Sequence, residues 1–231
     1  MRRLSAVLAF LAGFIDTAVF VFMGGLFVAH VTGNFVLIGA AIGAERAAGH
    51  GDTVALQLVS FPVFFSAAFL TSLMACRLAW ANRAESLLWV FVGLTLAVAA
   101  GVATEALSAS LACLLLVAGM GLLNAAQRID ARLNPPFTVM TGNVTAVAIA
   151  VGKRFAGVGS PAPGADDSPQ KAPKAAAIDK PTLLIIAFAI GSAGGAVAQE
   201  YLRLTSVALP TLLLLAVLVT QFRFLKPPTT H

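Results

Sequence analysis

The sequence predicts an all-α membrane protein with about six transmembrane helices and two short partial helices. The first observation is composition: 59% of the 231 residues are hydrophobic and only 11% are charged. A soluble domain carries about 25% charged residues, and so few ionisable groups cannot build a water-facing surface. The other two observations are long stretches without charge and a motif, Thr-Gly-Asn, that occurs twice.

Charge-free stretches locate the helices that can cross a bilayer, because an ionised side chain in the hydrocarbon core is costly. A spanning helix needs about 20 apolar residues. Two further apolar stretches, 32–44 and 141–152, are short for a crossing, and we interpret them as partial helices. The second of these follows Pro135 and Pro136, which cannot lie in a helix interior. The predicted spans are 4–23, 56–76, 87–105, 110–129, 182–200 and 206–222.

The distribution of Lys and Arg decides between two topologies, since cytoplasmic loops are enriched in basic residues. If both short helices cross fully, the chain makes eight spans, with ten basic residues inside and five outside. If both enter and leave on one side, six helices span and thirteen basic residues lie inside, with only Arg46 and Arg203 outside. We therefore favour six spans with both termini cytoplasmic and keep eight spans as the alternative.

The chain divides into two predicted halves within a single membrane domain. Residues 1–107 hold three spans and the partial helix 32–44, and residues 108–226 hold three spans and the partial helix 141–152. A Pro- and Ala-rich stretch at 155–180 lacks periodicity and is typical of a flexible cytoplasmic connector.

An internal repeat relates the two halves. A Gly-x-x-Asp motif ends at Asp16 and is followed by Thr-Gly-Asn at 32–34, while Gly-x-x-Asn ends at Asn124 and is followed by Thr-Gly-Asn at 141–143. The offset is 108 residues at the first motif and 109 at the second, so a single insertion aligns the copies. Because three spans is an odd number, the second half is inverted relative to the first. Inverted-topology repeats are a common transporter architecture.

The spacing before the first Thr-Gly-Asn suits a chain that re-enters the membrane. Residues 24–30 can descend as extended chain for up to ~23 Å, and a helix over 32–44 climbs back by roughly 18–20 Å. Either distance reaches the middle of a core that is about 30 Å thick. Two such partial helices would point their partially positive N-termini at one region near the midplane. We therefore expect a polar centre there.

Asp16 is the first candidate for function, because it is the sole carboxylate deep within a predicted span. Such a group needs a partner, a cation or a proton, although burial can also keep it as a neutral carboxylic acid. Its counterpart Asn124 is uncharged, which suits one protonation or ion site per chain. His30, which the motif alignment matches with Val139, can pair with Asp16 or anchor the loop at the interface.

The remaining candidates belong to the two Thr-Gly-Asn motifs. Their side chains and backbone amides either line a polar pathway or only cap exposed backbone groups. The candidate ligand, ion or pathway residues are Asp16, His30, Thr32, Gly33, Asn34, Asn124, Thr141, Gly142 and Asn143.

The doubled Thr-Gly-Asn, with the motifs that end at Asp16 and Asn124, resembles the YoaK-type family of bacterial multipass integral membrane proteins. The resemblance covers nearly the whole chain. It implies a multipass protein of the bacterial inner membrane, and it brings no substrate, reaction or cofactor with it.

From these observations we expect a small secondary transporter or channel-like permease for a small polar or ionic solute, with Asp16 as the proton- or cation-coupling residue. The alternative is a membrane-embedded binding or regulatory protein that works with a partner and transports nothing itself. An enzyme is not expected, because the sequence has no HExxH, GxSxG or P-loop motif.

The expected partners follow from the same residues. They are the lipid bilayer and an unidentified small solute or ion, with homo-oligomerisation left open. Three scattered histidines predict no metal site, and no cofactor is expected. The basic residues form no patch, so the net charge of +5 does not predict nucleic-acid binding.

Overall fold

The structure is a computed structural model that describes residues 2–43, 51–80, 83–130, 133, 135–156 and 176–224. Helices and short connections make up this part of the chain, and it contains no strand. The predicted all-α class is therefore confirmed. The helices are α1 (Arg2–Met23), α2 (Val31–Gly43), α3 (Gly51–Arg77), α4 (Ala84–Ala103), α5 (Ala109–Ile129), α6 (Met140–Phe155), α7 (Ala176–Leu202) and α8 (Ala208–Phe224).

Both partial helices form, and two of the long helices extend further than predicted. Helix α3 begins five residues before the predicted 56, and α7 begins six residues before the predicted 182. The predicted connector 155–180 is therefore too long, because its last five residues belong to α7. A charge-free stretch marks only the apolar part of a helix, and an acidic residue such as Asp179 in the first turn favours the helix dipole. Residues 157–175 of that connector lie outside the described residues.

Five helical stretches of the described chain are long and apolar enough to cross a membrane. Four of them lie in α1, α3, α4 and α5, and the fifth runs from Asp179 to Thr220 through both α7 and α8. A 3-10 turn at Arg203–Val207 separates α7 from α8, and Arg203 adopts the left-handed conformation with φ 50°. Its guanidinium lies over the ring of Phe22 near the end of α1, and α8 packs back against α1. With α7 and α8 counted separately, the described part of the chain has six long apolar helices.

Helix α2 begins beside the middle of α1 and returns to the end where α1 stops. The backbone N–H groups of residues 28 and 29 donate to the side chain of Asp16, seven residues before the end of α1. The hydroxyl of Thr53 donates to the carbonyl of Met23, so α3 starts where α1 ends. Ala41, near the end of α2, lines a cavity with Thr53. This path is compatible with a re-entrant segment, and the six-span topology stays a prediction.

Glycines allow the closest contact of the fold, which joins α1 to α7. A Cβ at Gly191 would meet the carbonyl of Phe10, and a Cβ at Gly195 would meet the carbonyl of Phe14. Both contacts advance by four residues in the same direction, so α1 and α7 run parallel. Small residues at such positions let two helix backbones approach one another.

The helix packing is the same in both predicted halves when α1–α4 are exchanged for α5–α8. The contact of α1 with α7 corresponds to that of α5 with α3, and the contact of α2 with α3 corresponds to that of α6 with α7. Likewise α4 packs on α5 as α8 packs on α1. A Cβ at Gly13 would meet the Phe188 carbonyl in α7, and one at Gly121 would meet the Phe64 carbonyl in α3. These matches support the inverted repeat, which stays a prediction.

Candidate functional site

The carboxylate of Asp16 is buried and holds the segment that leads into α2. Asp16 is 3% exposed and lies among apolar residues of α1 such as Ile15 and Val19, which are fully buried. Its Oδ1 accepts hydrogen bonds from the backbone N–H groups of Val28 and Ala29 at 2.8 and 2.7 Å. Two main-chain donors offset part of the cost of removing a carboxylate from water. Asp16 therefore fixes non-helical backbone at the depth where α2 begins.

His30 completes the hydrogen bonding of that carboxylate. Its Nδ1 lies 2.7 Å from Oδ2 of Asp16, and its side chain is 34% exposed against 4% for Asp16. The pair is an ion pair when the imidazole is protonated, whereas a neutral imidazole can donate a hydrogen bond from its Nδ1–H to the carboxylate. His30 is thus the more accessible side chain of the pair.

The His30 ring also lies where the two halves of the chain meet. It packs edge-on against the ring of Phe188 in α7, with centroids 5.5 Å apart, and against Phe27 at 6.4 Å. The same ring faces the backbone of Thr138, which precedes α6. The structure thereby brings the start of α2 next to the start of α6.

The Asn34 side chain bonds to the segment before α2 and to α3. These bonds use both its amide oxygen and its amide nitrogen. Its Oδ1 accepts from the N–H of Phe27, and its Nδ2 donates to the carbonyl of the same residue, both at 2.9 Å. The same Nδ2 donates to the hydroxyl of Ser60 at 2.8 Å. Asn34 is 1% exposed. Its contacts are those of a structural clamp.

The second half repeats this arrangement without a charge. The hydroxyl of Thr138 donates to Oδ1 of Asn124 at 2.7 Å, and Nδ2 of Asn124 donates to the carbonyl of Met120. Nδ2 of Asn143 donates to the carbonyl of Pro136 at 2.6 Å, seven residues earlier, just as Asn34 reaches back seven residues to Phe27. The two halves thus differ most in the Asp16–His30 pair.

The residues that contact Asp16 and Asn124 differ from those that the motif alignment matches. The His30 side chain bonds to Asp16 and the Thr138 side chain bonds to Asn124, each fourteen residues earlier in the chain. Thr138 therefore makes the contact in the second half that His30 makes in the first, although the alignment matches His30 with Val139.

Within each Thr-Gly-Asn motif the three residues divide between exposed and structural positions. Thr32 and Thr141 are exposed, whereas Asn34 and Asn143 are buried. Gly33 is required by close packing, because a Cβ there would lie 2.9 Å from the ring of Phe27. Gly142 meets only Val139, at an ordinary 3.6 Å. The threonine hydroxyls are therefore the groups of the motif that face outward.

Sequence reasoning missed three polar contributors: Gln57, Ser60 and Thr138. Gln57 and Ser60 are buried and lie three residues apart on α3, where they bond to the re-entrant segment. The sequence contains a signal for these two residues, because polar side chains three positions apart in an apolar stretch share one face of a helix. Thr138 lies three residues before the second motif and outside it. In the part of the chain that the structure describes, no three His, Cys, Asp or Glu side chains group as a metal site.

Comparison with known proteins places the chain in a family but gives it no activity. No curated protein and no solved structure matches the chain. The family model described as a protein of unknown function (DUF1275) matches residues 4–220, which is nearly the whole chain. The YoaK-type name is consistent with such a family and stays a prediction. The long apolar helices and this match over nearly the whole chain together identify the protein as a member of the DUF1275 family of proteins of unknown function.

Proposed function

We propose that this protein is a small secondary transporter or channel-like permease for a small polar or ionic solute in the bacterial inner membrane, with both termini cytoplasmic. One observation carries the proposal. A carboxylate that is 4% exposed is paired at 2.7 Å with a histidine that is 34% exposed, where the starts of two re-entrant helices meet. Non-helical backbone at membrane depth lies inside protein or beside a water-filled path.

The pair supplies the coupling residue that a secondary transporter needs. Protonation of His30 changes the charge of the site while Asp16 stays bonded to two backbone amides. A proton or cation that binds there changes the electrostatics of the segment that leads into α2. The second half has only neutral partners in the matching place, so each chain carries one such site. The exposed hydroxyls of Thr32 and Thr141 are the proposed pathway groups. The proposal involves no covalent chemistry.

Proteoliposomes test this proposal. The purified protein is reconstituted with a pH-sensitive dye inside, and amino acids, sugars and inorganic ions are added in turn. We expect one solute class to drive proton movement in the wild-type protein. Asp16→Asn preserves the bonds from Val28 and Ala29, so it should still exchange solute but should move no protons. Glu105→Gln is the matched control, because Glu105 is an exposed carboxylate at the end of α4.

Full proton coupling in Asp16→Asn would overturn the coupling role. If no solute moves and an ATPase co-purifies with the protein, the alternative of a binding or regulatory subunit is favoured instead.

A further inference from the structure

Three nitrogen atoms of the described chain contact the carboxylate of Asp16. Its Oδ1 accepts from the N–H groups of Val28 and Ala29, and its Oδ2 lies 2.7 Å from Nδ1 of His30. Successive backbone N–H groups that point at one atom form an anion-binding nest. A metal cation at Oδ1 would meet the positive ends of these two N–H dipoles. The site is thus built from groups that suit the carboxylate itself and not the coordination shell of a cation.

Oxygen atoms along the segments before α2 and α6 already accept hydrogen bonds. In the first half, Oδ1 of Asn34 and the carbonyls of Gly25 and Phe27 are bonded. In the second half, Oδ1 of Asn124 and the carbonyl of Pro136 are bonded. Hard cations such as Mg²⁺ and Ca²⁺ take about six or more oxygen ligands. A cation that gathered ligands here would compete with the bonds that hold both segments.

The imidazole of His30 offers a different kind of site. Its Nδ1 faces the carboxylate of Asp16, so a neutral ring that donates to Asp16 keeps its hydrogen on Nδ1 and leaves Nε2 as a bare acceptor. A proton from water that reaches the ring binds Nε2 and completes an ion pair with Asp16. The His30 side chain is 34% exposed against 4% for Asp16. The more accessible member of the pair is thus the one with an open acceptor.

The groups that face the His30 ring include one charge. They are Asp16 of α1, Phe188 of α7, Phe27 of its own segment and the backbone of Thr138 before α6. Among these described groups only Asp16 is titratable. Protonation of the ring therefore takes the pair from one negative charge to neutrality, and the proton needs no further counter-ion.

We propose that the ion bound at the Asp16–His30 pair is a proton carried on Nε2 of His30, and not a metal cation. Asp16 contributes by orienting the ring and by supplying its counter-charge. The inference rests on the proposed function in one respect, which is that this proton is the coupling ion of the transporter.

Nitrogen NMR of the full-length protein, labelled at histidine and held in detergent, tests the inference without measuring transport. We expect the neutral ring of His30 to be the Nδ1–H tautomer, and acidification should add a proton at Nε2. Replacement of choline chloride by sodium, potassium or magnesium chloride should leave this signal unchanged at each pH. The signal is assigned by its absence from His30→Gln, in which an amide can still donate to Asp16.

A second variant keeps the assignment decisive if His30→Gln does not fold. The sequence has three histidines, so His50→Gln combined with His231→Gln leaves His30 as the sole labelled residue. An Nε2–H tautomer in the neutral ring would overturn the inference. A His30 signal that shifts with sodium, potassium or magnesium at constant pH would overturn it as well.

The proteoliposome assay separates this inference from the proposed function. If a solute moves, we expect a pH gradient to drive its uptake in buffer that contains choline as the only added cation, and His30→Gln should exchange solute without moving protons. A requirement for a metal cation would overturn the proton assignment and leave transport standing. If no solute moves while His30 takes up its proton as described, the proposed function fails and the proton site stands.

Discussion

At the residue scale, the contacts of Asp16 join a structural role to the proposed coupling role. Its Oδ1 satisfies two buried backbone donors, and its Oδ2 meets His30. Asn124 in the second half accepts a hydrogen bond from the segment before α6 as well, but from the hydroxyl of Thr138. The charge is what Asp16 adds. Variants that separate hydrogen bonding from charge therefore separate the two roles.

Asp16→Leu should lower the free energy of unfolding by about 2–5 kcal/mol, because it leaves the buried N–H groups of Val28 and Ala29 without an acceptor. Asp16→Asn keeps an amide oxygen in that place and should cost about 1 kcal/mol. Thermal unfolding in detergent measures both. Equal losses for the two variants would contradict the assignment of Asp16 as the acceptor for this segment.

Asn34→Ala should destabilise the protein by about 2–4 kcal/mol, since it removes three hydrogen bonds of a side chain that is 1% exposed. Thr32→Val, two residues away and exposed, should change stability by no more than about 0.5 kcal/mol. Denaturant or thermal unfolding of the two variants checks this. A loss in Thr32→Val as large as that in Asn34→Ala would show that Thr32 also holds the fold.

At the element scale, the glycines of α1, α5 and α7 set how closely the helices approach. Gly13 and Gly121 occupy the same position in the two Gly-x-x-Asp/Asn motifs, and each meets a carbonyl of a neighbouring helix. The motif thus combines a close helix contact with an inward polar side chain one turn later. This explains why the two features recur together in the sequence.

Gly191→Ala should destabilise the protein by about 1–3 kcal/mol, because its Cβ would meet the carbonyl of Phe10 and force α1 and α7 apart. Gly93→Ala is the matched control within α4, where a Cβ would find open space. That variant should be neutral or stabilising by up to about 1 kcal/mol, because alanine favours the helix. Thermal unfolding compares them, and a stabilised Gly191→Ala would refute the close contact.

At the scale of the whole molecule, whether α2 re-enters or crosses the membrane decides which ends of the long helices share a membrane face. In the six-span topology, the end of α4 and the end of α7 lie on the same, outer side. In the eight-span alternative they lie on opposite sides. Ala106 and Tyr201 are exposed and mark these two ends.

Ala106→Cys and Tyr201→Cys, each in a chain that lacks Cys76 and Cys113, should both react with an impermeant maleimide added outside intact cells. The reason is that α2 returns to the end of α1, so α3 and α4 place position 106 on the outer side. Position 3, altered as Arg3→Cys, should react only after the cells are opened. Labelling of positions 106 and 201 from opposite sides would favour eight spans.

Much of the fold was predictable because a membrane constrains composition strongly. The charge-free stretches of the sequence located the described helices to within a few residues, except where α3 and α7 extend beyond their apolar parts. The doubled motif likewise located both partial helices. Neither result required knowledge of which helices pack together. The polar centre was predictable as a region for the same reason.

The sequence by itself determined an all-α chain with several long apolar helices, two short helices and one carboxylate within a predicted span. Only the tertiary structure decided what each polar group does. The Asn34 side chain bonds to Phe27 and Ser60, and Thr138 makes the contact in the second half that His30 makes in the first. Oε1 of Gln57 has no hydrogen-bond partner among the described residues. The physical reason is that these bonds join residues 7 to 32 positions apart. Helix packing, and not local sequence, sets which donors and acceptors meet at such separations.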